Sequence, residues 1–188
     1  MKITLIGNCQ TKALSWYIQQ LDQSFCVKWI RIAKFSKALW AQEQPPYGSR
    51  FYGKSINIIA DIRKSKERLL ESDYVIYQNL KILTSLNYHS KVIKKYSPNA
   101  KFISISSFYY KHGSILGMKK RAKELKIDIP AHKMIKKHGS KIKAMGRHLH
   151  PNAFYFLELV REICEITNWP YYDDKVYNQY LKEGFPFG

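Results

Sequence analysis

Four short apolar segments, most of them separated by helix-length stretches, constrain this chain more than any other feature. Lys2-Ile3-Thr4-Leu5-Ile6 reads as a buried strand and runs into the turn Gly7-Asn8-Cys9-Gln10. Residues 25–32 alternate and carry Val, Ile and Trp, which favours a second strand. Asp73-Tyr74-Val75-Ile76-Tyr77, ending at Gln78-Asn79, is the third, and Lys101-Phe102-Ile103-Ser104-Ile105 is the fourth. Between the first two, Ala13, Leu14, Tyr17, Ile18 and Leu21 recur at helical spacing and predict a helix over 10–21. Residues 64–71 favour helix by propensity, and another helix over 86–96 leads to Pro98-Asn99. Pro45-Pro46-Tyr47-Gly48 puts 41–53 in a loop. Strands alternating with helices predict an α/β fold of three layers, a mostly parallel sheet flanked by helices on both sides. Such sheets bind ligands at the carboxyl ends of their strands, where Cys9, Asn79 and Ser106 fall.

A chain of 188 residues, 45% of them hydrophobic, can bury roughly two-thirds of its unfolded surface. One α/β domain over 1–188 is therefore expected, and disorder along the whole length is excluded. Lys plus Arg number 32 against 14 Asp plus Glu, a net charge of +18, which asks for an anionic partner. The excess is concentrated. Residues 111–147 hold 12 basic and 2 acidic residues and are expected to form a basic helical segment, with helices over 118–126 and 133–143. From 148 to 188 the balance reverses to 3 basic and 6 acidic. His150-Pro151-Asn152 opens an apolar helix carrying Phe154, Leu157, Val160 and Cys164, with the proline at its first position, and Trp169-Pro170 ends it. The tail 169–188, aromatic and rich in Gly and Pro, is expected to pack as an irregular strap.

Three scattered cysteines without a C-x-x-C pair exclude a disulfide scaffold, argue against a structural zinc, and suit a reducing compartment. The first apolar run stops at Gly7-Asn8, too short for a signal peptide, and no run reaches the ~20 residues of a membrane span. A cytoplasmic location is expected.

The turn after the first strand is the most informative spot. A cysteine at a helix start sits beside unpaired N–H groups and the positive end of the helix dipole, which favours thiolate. Cys9 is thus a candidate nucleophile, or else a small residue filling a tight turn. Gly7, Asn8 and Gln10 complete a turn whose N–H groups can hold an oxyanion or a phosphate; Gly7 serves either a close backbone approach or an unusual φ. In Arg147-His148-Leu149-His150-Pro151-Asn152, either histidine could act as general base, or the two could be loop and capping residues. Asn79, or Gln78 beside it, could donate to an oxyanion near Cys9 or merely form a turn. Cys26 and Cys164 lie in apolar patterns and are expected in the core. His89, His112, His132 and His138 sit among lysines and serines and are expected to be solvated.

The strand–Gly-Asn-Cys-Gln–helix opening, the strand 73–79 and the later His-Pro-Asn before an apolar helix together resemble the WcbI-type polysaccharide biosynthesis acetyltransferases. The resemblance spreads over about residues 1–168, with its tight motifs at 7–10 and 148–152. It implies an SGNH/flavodoxin-like fold, coenzyme A binding, and transfer of an acetyl group to a sugar hydroxyl of a capsular or surface polysaccharide. By that similarity Cys9 falls where related hydrolases carry their nucleophilic serine, and His148 or His150 near their catalytic histidine. The Asp-x-x-His spacing of those hydrolases is absent, since Met145 and Arg147 stand three residues before the two histidines. Coenzyme phosphates would draw on Lys12, Lys119, Lys120, Arg121 and Arg147, and no metal is implied. The implied partners are acyl-CoA and a glycan, nucleotide-linked or lipid-linked sugar acceptor, with peripheral contact to an anionic inner membrane face as one use of the surplus charge.

Two other classes compete with this reading. An esterase or thioesterase needs the same residues and only water as acceptor. A nucleic-acid-binding protein would use the basic segment and some of the 14 tyrosines. The absence of a helix-turn-helix or RNA-recognition signature weighs against it. A non-catalytic coenzyme- or glycan-binding relative would leave Cys9 as a turn residue.

Overall fold

The computed structural model describes residues 1–31, 55–79, 93–108, 115–145 and 150–184. The loop expected at 41–53, most of the helix expected at 86–96, and Arg147, His148, His89 and His112 lie outside the described residues.

The chain begins β1 (Lys2–Gly7), α1 (Cys9–Gln19), β2 (Cys26–Arg31), α2 (Ser55–Leu70), β3 (Tyr74–Asn79) and β4 (Lys101–Ser106). The four strands form one all-parallel sheet in the order β2-β1-β3-β4. A single parallel bridge from Ile105 to Ile129 extends it past β4. Then come α3 (Ile115–Glu124), α4 (Ala131–His138), a two-stranded antiparallel ribbon of β5 (Ala144–Met145) and β6 (His150–Pro151), α5 (Ala153–Thr167) and α6 (Asp174–Glu183).

Side-chain alternation divides the sheet between two cores, as the pleat demands. Ile3 and Leu5 of β1, Ile76 of β3 and Ile103 and Ile105 of β4 face a large cluster built with α1 and α5. Ile6, Ile30 and Val75 face the opposite way, onto Leu69 of α2 and Ile93. This is the three-layer α/β arrangement expected from the sequence. On the larger side Tyr17 stacks on Phe156 at 5.8 Å, and both are fully buried.

Three local readings are corrected. Pro151 does not open the long helix. It pairs with Ala144 in the ribbon, the Asn152 N–H donates to the Lys143 carbonyl at 2.9 Å, and the Asn152 carboxamide caps the helix, which starts at Ala153. The tail is not an irregular strap throughout. Asp173 accepts from the Val176 N–H at 2.8 Å and nucleates α6, which Gly184 closes with a positive φ. The aromatics read as strap residues instead pack α6 down, Tyr180 lying edge-on to Trp16 at 5.2 Å. Cys26 is exposed rather than in the core, because it starts β2 at the sheet edge; Cys164 is buried as expected.

Candidate functional site

In the order β2-β1-β3-β4, β1 connects outward to β2 on one side while the chain returns to β3 on the other. Crevices form where the order reverses, at the carboxyl ends of the two central strands. The Gly7-Asn8-Cys9-Gln10 turn occupies that point, between β1 and the neighbouring end of β3.

Asn8 caps α1, accepting from the Gln10 N–H at 2.8 Å. Cys9 is therefore the first residue of the helix, with its side chain exposed. Among the described residues no acceptor meets the Cys9 N–H, one of the donors a helix start leaves over. Gly7 is required by close approach, not by φ. A Cβ there would lie 2.5 Å from Thr11 Cγ2, 2.6 Å from Thr11 Oγ1 and 2.8 Å from Gln78 Cβ. Thr11 is itself pinned, donating to the Asn8 carbonyl at 2.7 Å and accepting from the Trp29 indole at 2.9 Å.

Beneath the turn runs a buried chain of carboxamides. Gln10 Nε2 donates to the Phe108 carbonyl at 2.8 Å, and its Oε1 accepts from Phe108 N–H at 3.1 Å and from Gln78 Nε2 at 2.8 Å. Gln78 Oε1 in turn accepts from the Asn8 N–H at 3.0 Å. Gln10 is 7% exposed and Gln78 1%, so both amides serve to lock β3, the segment after β4 and the Gly7–Gln10 turn together. This corrects the reading of Gln78 as a free donor to an oxyanion: its carboxamide is engaged inside the fold. Asn79 ends β3 opposite Ser106.

His150 arrives from the other end of the chain. The β5–β6 ribbon holds it extended, and its Nε2 stands 3.1 Å from Cys9 Sγ. The two residues are 141 positions apart. A sulfur and an imidazole nitrogen at this distance can share the thiol proton when the ring carries its hydrogen on Nδ1, which leaves Nε2 as acceptor.

Beside the ribbon lies an open cavity of about 670 Å3 lined by Ser140, Lys141, Lys143, Asn152, Phe154, Tyr177 and Leu181. Asn152 ties its wall together, donating from Nδ2 to the Lys141 carbonyl at 2.8 Å. Neither Lys141 nor Lys143 was among the residues singled out in the sequence, where nothing distinguishes them from ten other basic residues of the same segment. Of the expected phosphate ligands, Lys119, Lys120 and Arg121 stand on α3 and Lys12 on α1, and none of them lines this cavity. Below it, the 4%-exposed carboxylate of Glu158 meets His138 Nε2 at 3.3 Å, an Arg161 nitrogen at 3.5 Å and the Tyr177 hydroxyl at 3.2 Å. His138 is thus drawn inward by a buried anion rather than solvated, and it lies edge-on to Phe154 at 5.3 Å.

No family model matches the chain, and no curated protein matches its sequence.

Proposed function

We propose that the chain is a cysteine–histidine acyltransferase of SGNH-like type. It would move an acetyl group from coenzyme A to a sugar hydroxyl used in a capsular or surface polysaccharide. The observation that carries this reading is the 3.1 Å contact between Cys9 Sγ and His150 Nε2 at the carboxyl edge of the sheet, with Cys9 at the first position of a helix. The resemblance supplies the coenzyme and the acceptor. The cavity beside the His150 ribbon supports a phosphorylated co-substrate, since it offers two lysines, Ser140 and Asn152 together with the apolar faces of Phe154, Tyr177 and Leu181.

In this mechanism His150 Nε2 takes the Cys9 thiol proton, and the thiolate attacks the thioester carbonyl carbon. The carbonyl electron pair moves onto oxygen, where the Cys9 N–H and the positive end of α1 stabilise it. Collapse breaks the bond to the coenzyme sulfur, which leaves with the proton held on His150. The acetyl group now sits on Cys9 as a thioester, so the exchange is nearly balanced in energy. A sugar hydroxyl then attacks that thioester while His150 takes its proton. The second tetrahedral adduct collapses to the sugar ester, and the proton returns from His150 to the Cys9 sulfur. The buried Gln10–Gln78 chain holds the turn against displacement during both steps.

The test is intact-mass analysis after brief exposure to acetyl-coenzyme A. The expected result is one acetyl group, lost in Cys9→Ala and discharged by sugar acceptors faster than by water. Discharge by water alone at full rate would make the protein a thioesterase. No adduct, and no thermal stabilisation by coenzyme A at concentrations far above a micromolar dissociation constant, would overturn the reading.

A further inference from the structure

The helical pair α3 and α4 carries charge that the site above does not use. Residues 115–145 hold ten Lys or Arg against Glu124 and Asp128. Asp128 is engaged with β4, accepting from Ser104 N–H at 2.7 Å and from the Ser104 hydroxyl at 2.8 Å.

On α3, Leu116, Lys119, Lys120 and Lys123 follow the spacing i, i+3, i+4, i+7 and so share one face. That face is turned to solvent, while Ala122 on the opposite side is buried. Leu116 is 74% exposed and its neighbour Ile115 54% exposed, an adjacent aliphatic pair at the start of a lysine-rich helix. On α4, which packs against α3, the exposed Lys133, Lys136 and Lys137 repeat the spacing i, i+3, i+4. Lys137 pairs with Glu162 at 3.0 Å; among the described residues no carboxylate lies within ion-pair distance of Lys119, Lys120, Lys123, Lys133 or Lys136. The two helices add their fields: burial, then the ammonium groups of Lys133 and Lys119, push the His132 imidazole down.

We infer that this face, Leu116 with the lysines of α3, Ile115 exposed beside it at the helix start and the lysines of α4 extending it, docks the protein on an anionic phospholipid bilayer. Three features favour a membrane over nucleic acid. Residues 115–145 contain no Phe, Tyr or Trp, so they offer no platform for stacking bases. Nine of the ten cations are lysines, point charges rather than the forked guanidinium suited to bidentate phosphate contacts. Exposed aliphatics beside lysines match an apolar interior beneath a negative surface, the combination an anionic bilayer presents over its whole area. No described helix is long and apolar enough to cross a membrane. The inference stands on α3 and α4 alone and does not require acyl transfer.

The experiment is co-sedimentation of the full chain with vesicles of phosphatidylcholine alone and of phosphatidylcholine mixed with phosphatidylserine, with a DNA duplex and a single strand as competitors. Binding is expected only to the serine-containing vesicles. Each lysine changed to glutamine should weaken it roughly fivefold, and Lys119→Gln, Lys120→Gln and Lys123→Gln together about a hundredfold. Leu116→Ser should weaken it roughly tenfold while leaving any DNA binding unchanged. Leu116→Gln probes the same contact a second time, and unchanged melting of these surface variants verifies their fold. Absence of vesicle binding, equal binding to neutral vesicles, or indifference to Leu116 would each overturn the inference. The last of these, with tight DNA binding, would hand the face to nucleic acid.

Discussion

Gly7→Ala tests the architecture of the turn that carries Cys9 with one added methyl group. That methyl would lie 2.5 and 2.6 Å from two atoms of Thr11 and 2.8 Å from Gln78 Cβ, all below the 3.0 Å that real Cβ atoms respect. Neither neighbour can yield cheaply. Gln78 Cβ belongs to a central strand, paired on both sides of its neighbourhood through β1 and β4. Thr11 is fully buried, and turning its side chain away would break its bond to the Asn8 carbonyl and strand the Trp29 indole. Overpacking of this kind costs about 1–3 kcal/mol, and each hydrogen bond lost adds about 1 kcal/mol. The sum, roughly 3–5 kcal/mol, lowers the melting temperature of a chain this size by about 6–20 °C. Thermal denaturation measures it directly. A double-mutant cycle with Thr11→Ala sharpens the test, because that change removes both Thr11 atoms and relieves two of the three contacts. The pair should be less destabilised than the sum of the singles by about 1 kcal/mol or more. A Gly7→Ala protein that melts with the parent, or a strictly additive pair, would refute the close-approach argument.

His150→Ala removes the proposed base from Cys9 and should lower coenzyme release from acetyl-coenzyme A by about a hundredfold to ten-thousandfold, with the melting temperature nearly unchanged; an unaffected rate would remove His150 from the proposed mechanism. Alkylation of the native protein should label the exposed Cys9 and Cys26 and spare Cys164, whose thiol burial, reinforced by Glu165, pushes up to about 12. Labelling of all three at equal rates would contradict that burial. The same physics predicts alkaline weakness. Burial holds the Cys164 thiol and the Tyr17 hydroxyl protonated up to about 12, well above their ordinary values, so at intermediate pH the unfolded chain binds fewer protons than the folded one. Stability present below about pH 9 should therefore fall as pH rises toward 12, each group contributing a slope of about 1.4 kcal/mol per pH unit. A flat melting temperature across that range would refute it.

The strands were legible because parallel, doubly covered strands are short runs of apolar and β-branched residues, and each expected strand lies within a residue or two of its observed bounds. Helix starts were legible only where the cap could be told from its surroundings. Asn8 and Asn152 both cap helices, yet Pro151 drew the second start two residues early, because a proline that opens a helix and one that ends a strand look alike in sequence. Asp173, the cap of α6, was hidden between aromatic residues and a glycine-rich end that together resembled a strap. What separates these cases is non-local. The ribbon partner at Ala144 and the packing of Tyr180 on Trp16 decide them, and neither can be read from neighbours in the chain.

The candidate site divides along the same line. Cys9 could be singled out from its local setting, because a strand end followed by a helix start fixes the chemistry around it. The approach of His150 to Cys9 could not, because it depends on the register of a two-residue ribbon. In an extended strand successive side chains point to opposite faces, so residues two apart share a face and sequence alone leaves both His148 and His150 open. The ribbon settles where His150 stands: Met145 pairs with His150, Ala144 pairs with Pro151, and the Asn152 N–H closes on Lys143, a register that brings the His150 ring to the sulfur. Lys141 and Lys143 flank that same register and line the adjacent cavity. A slip of the ribbon by one residue would turn the ring away from Cys9 and unseat the Asn152 cap together. The histidine's reach, the helix start and the lysine-lined cavity are consequences of a single pairing, so one short ribbon outside the main sheet sets most of the geometry around Cys9.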